Sequence, residues 1–269
     1  MNALIIAAGM GTRLGQDQHK CLTPVHGRPL INHILESLAV CGCHDAWIVT
    51  GWQGEQLQQA LGDKRCHVRL HFVHNPDFRR GNGISVLRGI DALPPGAEFL
   101  LLMSDHLVSP DLVHRVWRQR RCDCAAAVGI DRDAGSIHDL DDGMKVQIDD
   151  VGKVTAIAKT LATYTGIDCG VFACSPAFAN YLRAAQAAGE ESLSQACARA
   201  AADGSMGTVE ITGLPWHDID TADGLQAAEP FYFARHLRRS ARSFACWLAG
   251  AVVLLLLIHH LFPVGSVLP

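Results

Sequence analysis

The stretch Ala3-Leu4-Ile5-Ile6-Ala7-Ala8, followed by Gly9-Met10-Gly11-Thr12-Arg13-Leu14-Gly15, decides how the rest of the chain is read. The first six residues make a short buried strand. Gly9 and Gly11 let the backbone turn sharply and offer successive N–H groups to an anion. Arg13 in the loop and Lys20 just beyond it bring the positive charge that a triphosphate or a departing pyrophosphate requires. The loop is no dinucleotide fingerprint, because Leu14 stands where a third glycine or alanine belongs and the strand at 46–50 ends without an acidic residue. It is no P-loop either, since Gly-Lys-Ser/Thr is missing. A plain strand-to-helix turn accounts for the glycines but leaves Arg13 and Lys20 without a reason.

Working outward, β-rich runs at 3–8, 46–50, 68–73 and 99–103 alternate with helical patterns at 30–40, 54–61 and 84–93. This is the βαβ rhythm of a parallel sheet covered on both faces. Further strands are expected at 125–129, 145–148, 154–157, 169–173 and 208–211, with helices at 176–188 and 192–202. The sum is a mixed sheet with an inserted, less regular second half. Open sheets of this kind bind ligands beyond the carboxyl ends of their strands, so the turn after Ala8 and the segment after Met103 share one rim. Asp105 enters there. Pro110 marks the next helix start and Ser109 is its better cap, which leaves Asp105 for other work.

A chain of 269 residues that is 49% hydrophobic buries one large core and leaves room for a short appendage. Its net charge of −4 offers no basic face, so nucleic acid is not an expected partner. Among the ten cysteines, Cys41-Gly42-Cys43 and Cys122-Asp123-Cys124 are spaced too tightly for an ordinary zinc site, and reduced core thiols are expected. No secretory signal precedes the first strand, which points to a cytoplasmic enzyme domain. Residues 244–262 form an uncharged run of about 19 residues, long enough to cross a hydrocarbon core of about 30 Å. Arg235, Arg238, Arg239 and Arg242 come just before it. The expected layout is a catalytic domain over 1–230, a basic linker over 231–243, a single transmembrane helix over 244–262 and an outward tail over 263–269, in the inner (cytoplasmic) membrane.

Taken together, Gly9-Met10-Gly11-Thr12-Arg13-Leu14, Lys20-Cys21-Leu22-Thr23-Pro24-Val25 and Gly27-Arg28-Pro29-Leu30-Ile31 resemble the signature of the nucleotidyltransferases that join a nucleoside triphosphate to a sugar phosphate or alcohol phosphate. The resemblance continues through Gly81-Asn82-Gly83-Ile84-Ser85, Met103-Ser104-Asp105-His106, Met144-Lys145-Val146, Ala158-Lys159, Ile167-Asp168-Cys169-Gly170-Val171-Phe172 and Trp216-His217-Asp218-Ile219-Asp220-Thr221. It spans about residues 1 to 230, in the family's order. Among subfamilies the combination looks most like cytidylyltransferases acting on inositol 1-phosphate. Cytidylyltransferases for phosphocholine or a phosphonate, and uridylyl- or thymidylyltransferases for sugar 1-phosphates, are the alternatives. A non-catalytic nucleotide-binding regulatory protein is the alternative of a different class.

The resemblance implies a Rossmann-like three-layer α/β/α mixed sheet of the nucleotide-diphospho-sugar transferase type. It implies a Mg²⁺ ion on Asp105 and a second carboxylate, Asp220 in preference to Asp218. Arg13, Lys20 and Lys159 are the expected catalytic cations. Ala8, Gly9, Gly11, Thr12, Arg13, Lys20, Asn82, Gly83 and Ser85 are expected around the nucleotide, and Lys145, Lys159 and Asp168 around the acceptor. CTP and a phosphorylated alcohol are the implied substrates. A separate membrane CDP-alcohol phosphotransferase is the implied partner. Cytosine and uracil differ by an exchanged hydrogen-bond donor and acceptor, and the sequence leaves open which way Asn82 and Ser85 point.

Overall fold

A computed structural model describes residues 1–11, 19–137 and 139–228. In chain order it holds β1 (Asn2–Ala7), β2 (Pro24–Val25), β3 (Arg28–Pro29), α1 (Leu30–Val40), β4 (Asp45–Thr50), α2 (Gly54–Leu61), β5 (Lys64–Arg65), β6 (Val68–His74) and α3 (Asn82–Ala92). There follow β7 (Phe99–Met103), β8 (His106–Val108), α4 (Pro110–Arg118), β9 (Ala126–Asp131), β10 (Lys145–Ile148), β11 (Val154–Ala158) and β12 (Gly166–Cys174). The last are α5 (Phe178–Ala187), α6 (Leu193–Ala202), β13 (Met206–Glu210), β14 (Trp216–Asp218) and α7 (Ala222–Ala227).

The spine of the main sheet is the parallel run β6-β4-β1-β7, with Ile5 of β1 level with Ile48 of β4 and Leu102 of β7. Strand order reverses direction at β1, and this is where an open α/β sheet leaves a crevice beyond its strand ends. β12 joins antiparallel to β7 and carries β9, β10 and, through them, β13 and β11. The sheet is therefore mixed, as the later strands led one to expect.

Period-two alternation along β1 divides the core between two faces. Ala3, Ile5 and Ala7 meet Ile34 and Leu38 of α1 and Leu112 and Val116 of α4. Leu4, Ile6 and Ala8 belong with Val86 of α3, Phe178 and Leu182 of α5 and Ala196 of α6. Three layers result. Truncating a fully buried residue such as Leu4 or Ile5 to alanine costs about 2–5 kcal/mol, by the usual transfer and cavity effects.

Helix caps take the residues that local chemistry favours. Ser109 accepts from Leu112 N with Pro110 next to it, Ser192 and Gln195 form a reciprocal capping box, and Thr221 accepts from Gly224 N. Asp105, Asp218 and Asp220 are thereby released from capping. α3 starts at Asn82, two residues earlier than the periodicity suggests, and Gly81 caps it with no side-chain bond.

The structure adds short elements that periodicity did not reveal, the β2–β3 ribbon and β5 among them. β8 and β14 pair antiparallel as a small ribbon apart from the main sheet, His106 opposite Asp218. Three-residue strands are too short to show an alternation. No helix among the described residues is long and apolar enough to cross a membrane, and the expected span at 244–262 lies outside the described residues.

Candidate active site

The chain leaves β1 through Ala8 and Gly9 at the rim. Gly11 has φ +59°, and a Cβ there would stand 2.8 Å from Lys20 Cβ, so glycine lets the turn and Lys20 lie against each other. Thr12 and Arg13 lie outside the described residues. At His19 the imidazole Nδ1 accepts from Cys21 N at 3.2 Å, so Nε2 carries the proton and donates to Ala7 O at 3.0 Å. Burial lowers this pKa, against the pull of the Ala7 carbonyl, and keeps the ring neutral. His19 thus ties the end of β1 to the single turn Lys20–Leu22 and fixes where Lys20 starts.

Lys20 Nζ donates to Asp105 Oδ2 at 2.9 Å and also to Asp220. Burial alone would favour the neutral amine, but Asp105 and Asp220 outweigh it and hold Lys20 charged. Burial likewise opposes ionisation of Asp105, and Lys20 followed by His106 holds that carboxyl well below its usual range. His106 Nδ1 lies 3.5 Å from Asp105 Oδ1 and its Nε2 3.6 Å from Asp218 Oδ2. Against the effect of burial, Asp218, Asp105 and Asp168 raise its pKa to about 9. Charges therefore alternate along Asp220, Lys20, Asp105, His106 and Asp218.

The ribbon explains how residues so distant in sequence meet. Asp105 immediately precedes β8, Asp218 ends β14, and Ile219 N donates to Asp105 O at 3.0 Å. In an extended strand Asp218 and Asp220 would face the same side. Here the strand stops at Asp218, which faces His106, while Asp220 lies past its end and faces Lys20. One ligand atom each from Asp105, His106 and Asp218 fall within 4.8 Å of one another, so a cation has carboxylates on either hand.

A cleft of about 500 Å³ opens from this cluster, and Asn82, Asp105, Lys159, Asp168, Asp218 and Asp220 all line it. Lys159 pairs with Asp142 on the far wall. The Lys145 ammonium donates to Lys159 O at 2.8 Å and so braces the turn that carries Lys159. Burial raises the Asp168 pKa to about 6, despite the Gly170 N–H donated to it at 2.6 Å and the nearby His106.

Two residues expected around the nucleotide have partners within the fold. Ser85 is buried with its Oγ accepting from Asn75 Nδ2 at 2.9 Å. Gly83 N donates to Glu191 O at 2.9 Å, so the close approach its missing Cβ permits is made by the chain entering α6. Sequence reasoning passed over His19, His106 and Asp131. The last is buried and accepts from Trp216 Nε1 at 2.9 Å, anchoring β14 to β9. The adjacency of His106 to Asp105 was the available signal for the second of these.

The sequence profile of the MobA-like NTP transferase domain matches residues 3–245, and the chain belongs to that family. Among curated relatives, a "Bifunctional IPC transferase and DIPP synthase" of Rubrobacter xylanophilus is 33% identical over 235 residues, 85% of this chain and 51% of the relative. The protein of the same name from Thermococcus kodakarensis is 29% identical over 228 residues, 84% of this chain and 49% of its own length. The chain thus spans about half the length of these relatives. The solved inositol-1-phosphate CTP transferase of T. maritima superposes with a TM-score of 0.72 at 21% identity, covering 83% of this chain and 90% of that one, a likeness of fold.

Proposed function

We propose that the protein transfers CMP from CTP to inositol 1-phosphate, giving CDP-inositol and pyrophosphate. The observation that carries this reading is the grip of Asp105 and Asp220 on Lys20 at the sheet rim, in a chain of this family. The motifs of the sequence, in a fold shared with an inositol-1-phosphate CTP transferase, favour cytidine and inositol phosphate over the alternatives.

An oxygen of the acceptor's phosphate forms the new bond to the α-phosphorus, while the bond from that phosphorus to the bridging oxygen breaks and pyrophosphate leaves with the electron pair. The attacking phosphate oxygen is already anionic, so no residue has to remove a proton. Catalysis then rests on alignment and on neutralising charge. In this reading Lys20, together with Arg13, turns to the triphosphate, and Lys159 exchanges Asp142 for the acceptor phosphate. Asp168 accepts a hydroxyl of the acceptor. The all-oxygen pair Asp105 and Asp220 suits a hard divalent ion such as Mg²⁺, and an ammonium already lies between them. That ion supplies Lewis-acid neutralisation of the phosphates when bound.

Residues 244–262 act in this reading as a membrane anchor that keeps the product near a CDP-alcohol phosphotransferase in the bilayer. Sedimentation with membranes after carbonate washing tests the anchor, and recovery in the soluble fraction removes it. The decisive test of the reaction is pyrophosphate release, with each ribonucleoside triphosphate and dTTP set against inositol 1-phosphate, phosphocholine and sugar 1-phosphates. CTP with inositol 1-phosphate is the expected productive pair, and faster turnover of any other pair would replace it.

A further inference from the structure

We infer that His19 is a positioning residue for the nucleotide step, acting through Lys20. The inference rests on the nucleotidyltransferase reading and names what aims that site's central ammonium. A lysine carries its charge on a flexible four-carbon stem, so the direction in which the stem starts decides where the charge arrives. His19 sets that start.

His19 is 1% exposed, and its bonds join three parts of the fold. Its Nε2 donates to Ala7 O at 3.0 Å at the end of β1, and its Nδ1 accepts from Cys21 N at 3.2 Å and so caps the turn Lys20–Leu22. Its backbone N–H donates to Gln56 Oε1 of α2 at 3.1 Å, and its carbonyl closes the turn by accepting from Leu22 N at 2.8 Å. Lys20 is thereby fastened to β1, to α2 and to its own turn. The strand end that receives the imidazole is itself held, because the next carbonyl, Ala8 O, accepts from Trp52 N at 3.2 Å. Gly11 packs against the stem from the loop side, where a Cβ would stand 2.8 Å from Lys20 Cβ. Both ring nitrogens are spent inside the fold, which leaves His19 no group for a phosphate. Its effect on the reaction has to pass through Lys20, whose ammonium bonds Asp105 and Asp220.

Loosening this clasp has two consequences of opposite sense. Lys20 defends Asp105 and Asp220 less well against a divalent ion, and it meets the triphosphate less often in the productive place. His19→Ala in the full chain should therefore bind Mn²⁺ about three- to tenfold more tightly than wild type without nucleotide, as read by electron paramagnetic resonance. Its kcat/KM for CTP should fall by about 10–100-fold while the acceptor KM stays unchanged. A merely weakened fold would lower both metal binding and turnover. His19→Asn, which keeps an oxygen where Nδ1 accepts from Cys21 N, should recover most of each effect. In a Lys20→Met background the alanine change should alter either measurement by less than about twofold. Unchanged or weaker Mn²⁺ binding in His19→Ala overturns the inference, and so does an undiminished effect in the absence of Lys20. His19→Gln, which keeps a donor for Ala7 O and gives up Cys21 N, replaces the alanine variant if that does not fold, with the same signs expected and the same results overturning it. Wild-type protein that releases no pyrophosphate from any nucleotide would remove the parent reading, whereas turnover that is indifferent to His19 removes only the clasp.

Discussion

Lys20 Nζ lies 2.9 Å from Asp105 Oδ2 while it also bonds Asp220, so one side chain holds together two carboxylates that are far apart in the sequence. An ammonium placed there competes with any divalent ion until a triphosphate draws it away. Lys20→Met should therefore bind Mn²⁺ about tenfold more tightly than wild type in the absence of nucleotide, equivalent to roughly 1.4 kcal/mol. Pyrophosphate release should meanwhile fall by about 10²–10³-fold. Electron paramagnetic resonance during a Mn²⁺ titration measures the first effect, and weaker metal binding in the variant would refute the competition.

Asp105→Ala should abolish turnover at every Mg²⁺ concentration, and Asp220→Asn should lower it by at least about 10²-fold. Steady-state pyrophosphate assays over a Mg²⁺ series distinguish loss of the metal from a weakened site. Full activity in the Asp105 variant would strip that residue of its role.

Lys159 pairs with Asp142 at the cleft wall, and an incoming phosphate is expected to take that carboxylate's place. Lys159→Ala should raise the acceptor KM by about 10–100-fold and leave CTP affinity untouched, since one charge-assisted contact is lost. An unchanged acceptor KM removes the assignment.

Burial lifts Asp168 from 3.8 to about 6, so the folded chain holds a proton there more tightly than the unfolded chain does. The associated stability is complete below about pH 4 and is lost as pH rises toward about 6, after which the deficit is constant. Asp168→Asn should thus stabilise the protein by about 1–3 kcal/mol at pH 7.5 and leave it nearly unchanged at pH 3.5. Thermal melts at the two values decide it, and an equal shift at both would show that the charge is not the cause.

The sheet and its helices were readable because their signals are local. Helix 30–40 and strands 99–103 and 145–148 end where their periodicity ends, and Ser109, Ser192 and Thr221 take the caps. Asp105 stood out at the tip of an apolar strand. What escaped depends on contacts distant in sequence. The pairing of β8 with β14 joins two strands of three residues, and β12 begins at Gly166, three residues ahead of its apolar run, where it borrows partners from β9 and β10. The polarity of Asn82 is set by Leu193, and Ser85 looks inward to Asn75. A motif shows which groups exist in a loop, and only the surrounding fold shows which of them remain unspent.

The ribbon of β8 and β14 has an evolutionary corollary. The chain from α4 through β13 is a single excursion that departs beside Asp105 and returns beside Asp218, and it carries Lys159 and Asp168 to the cleft. Because Glu191 and Leu193 of that excursion also bond Gly83 and Asn82, exchanging it between relatives should alter both walls of the cleft together.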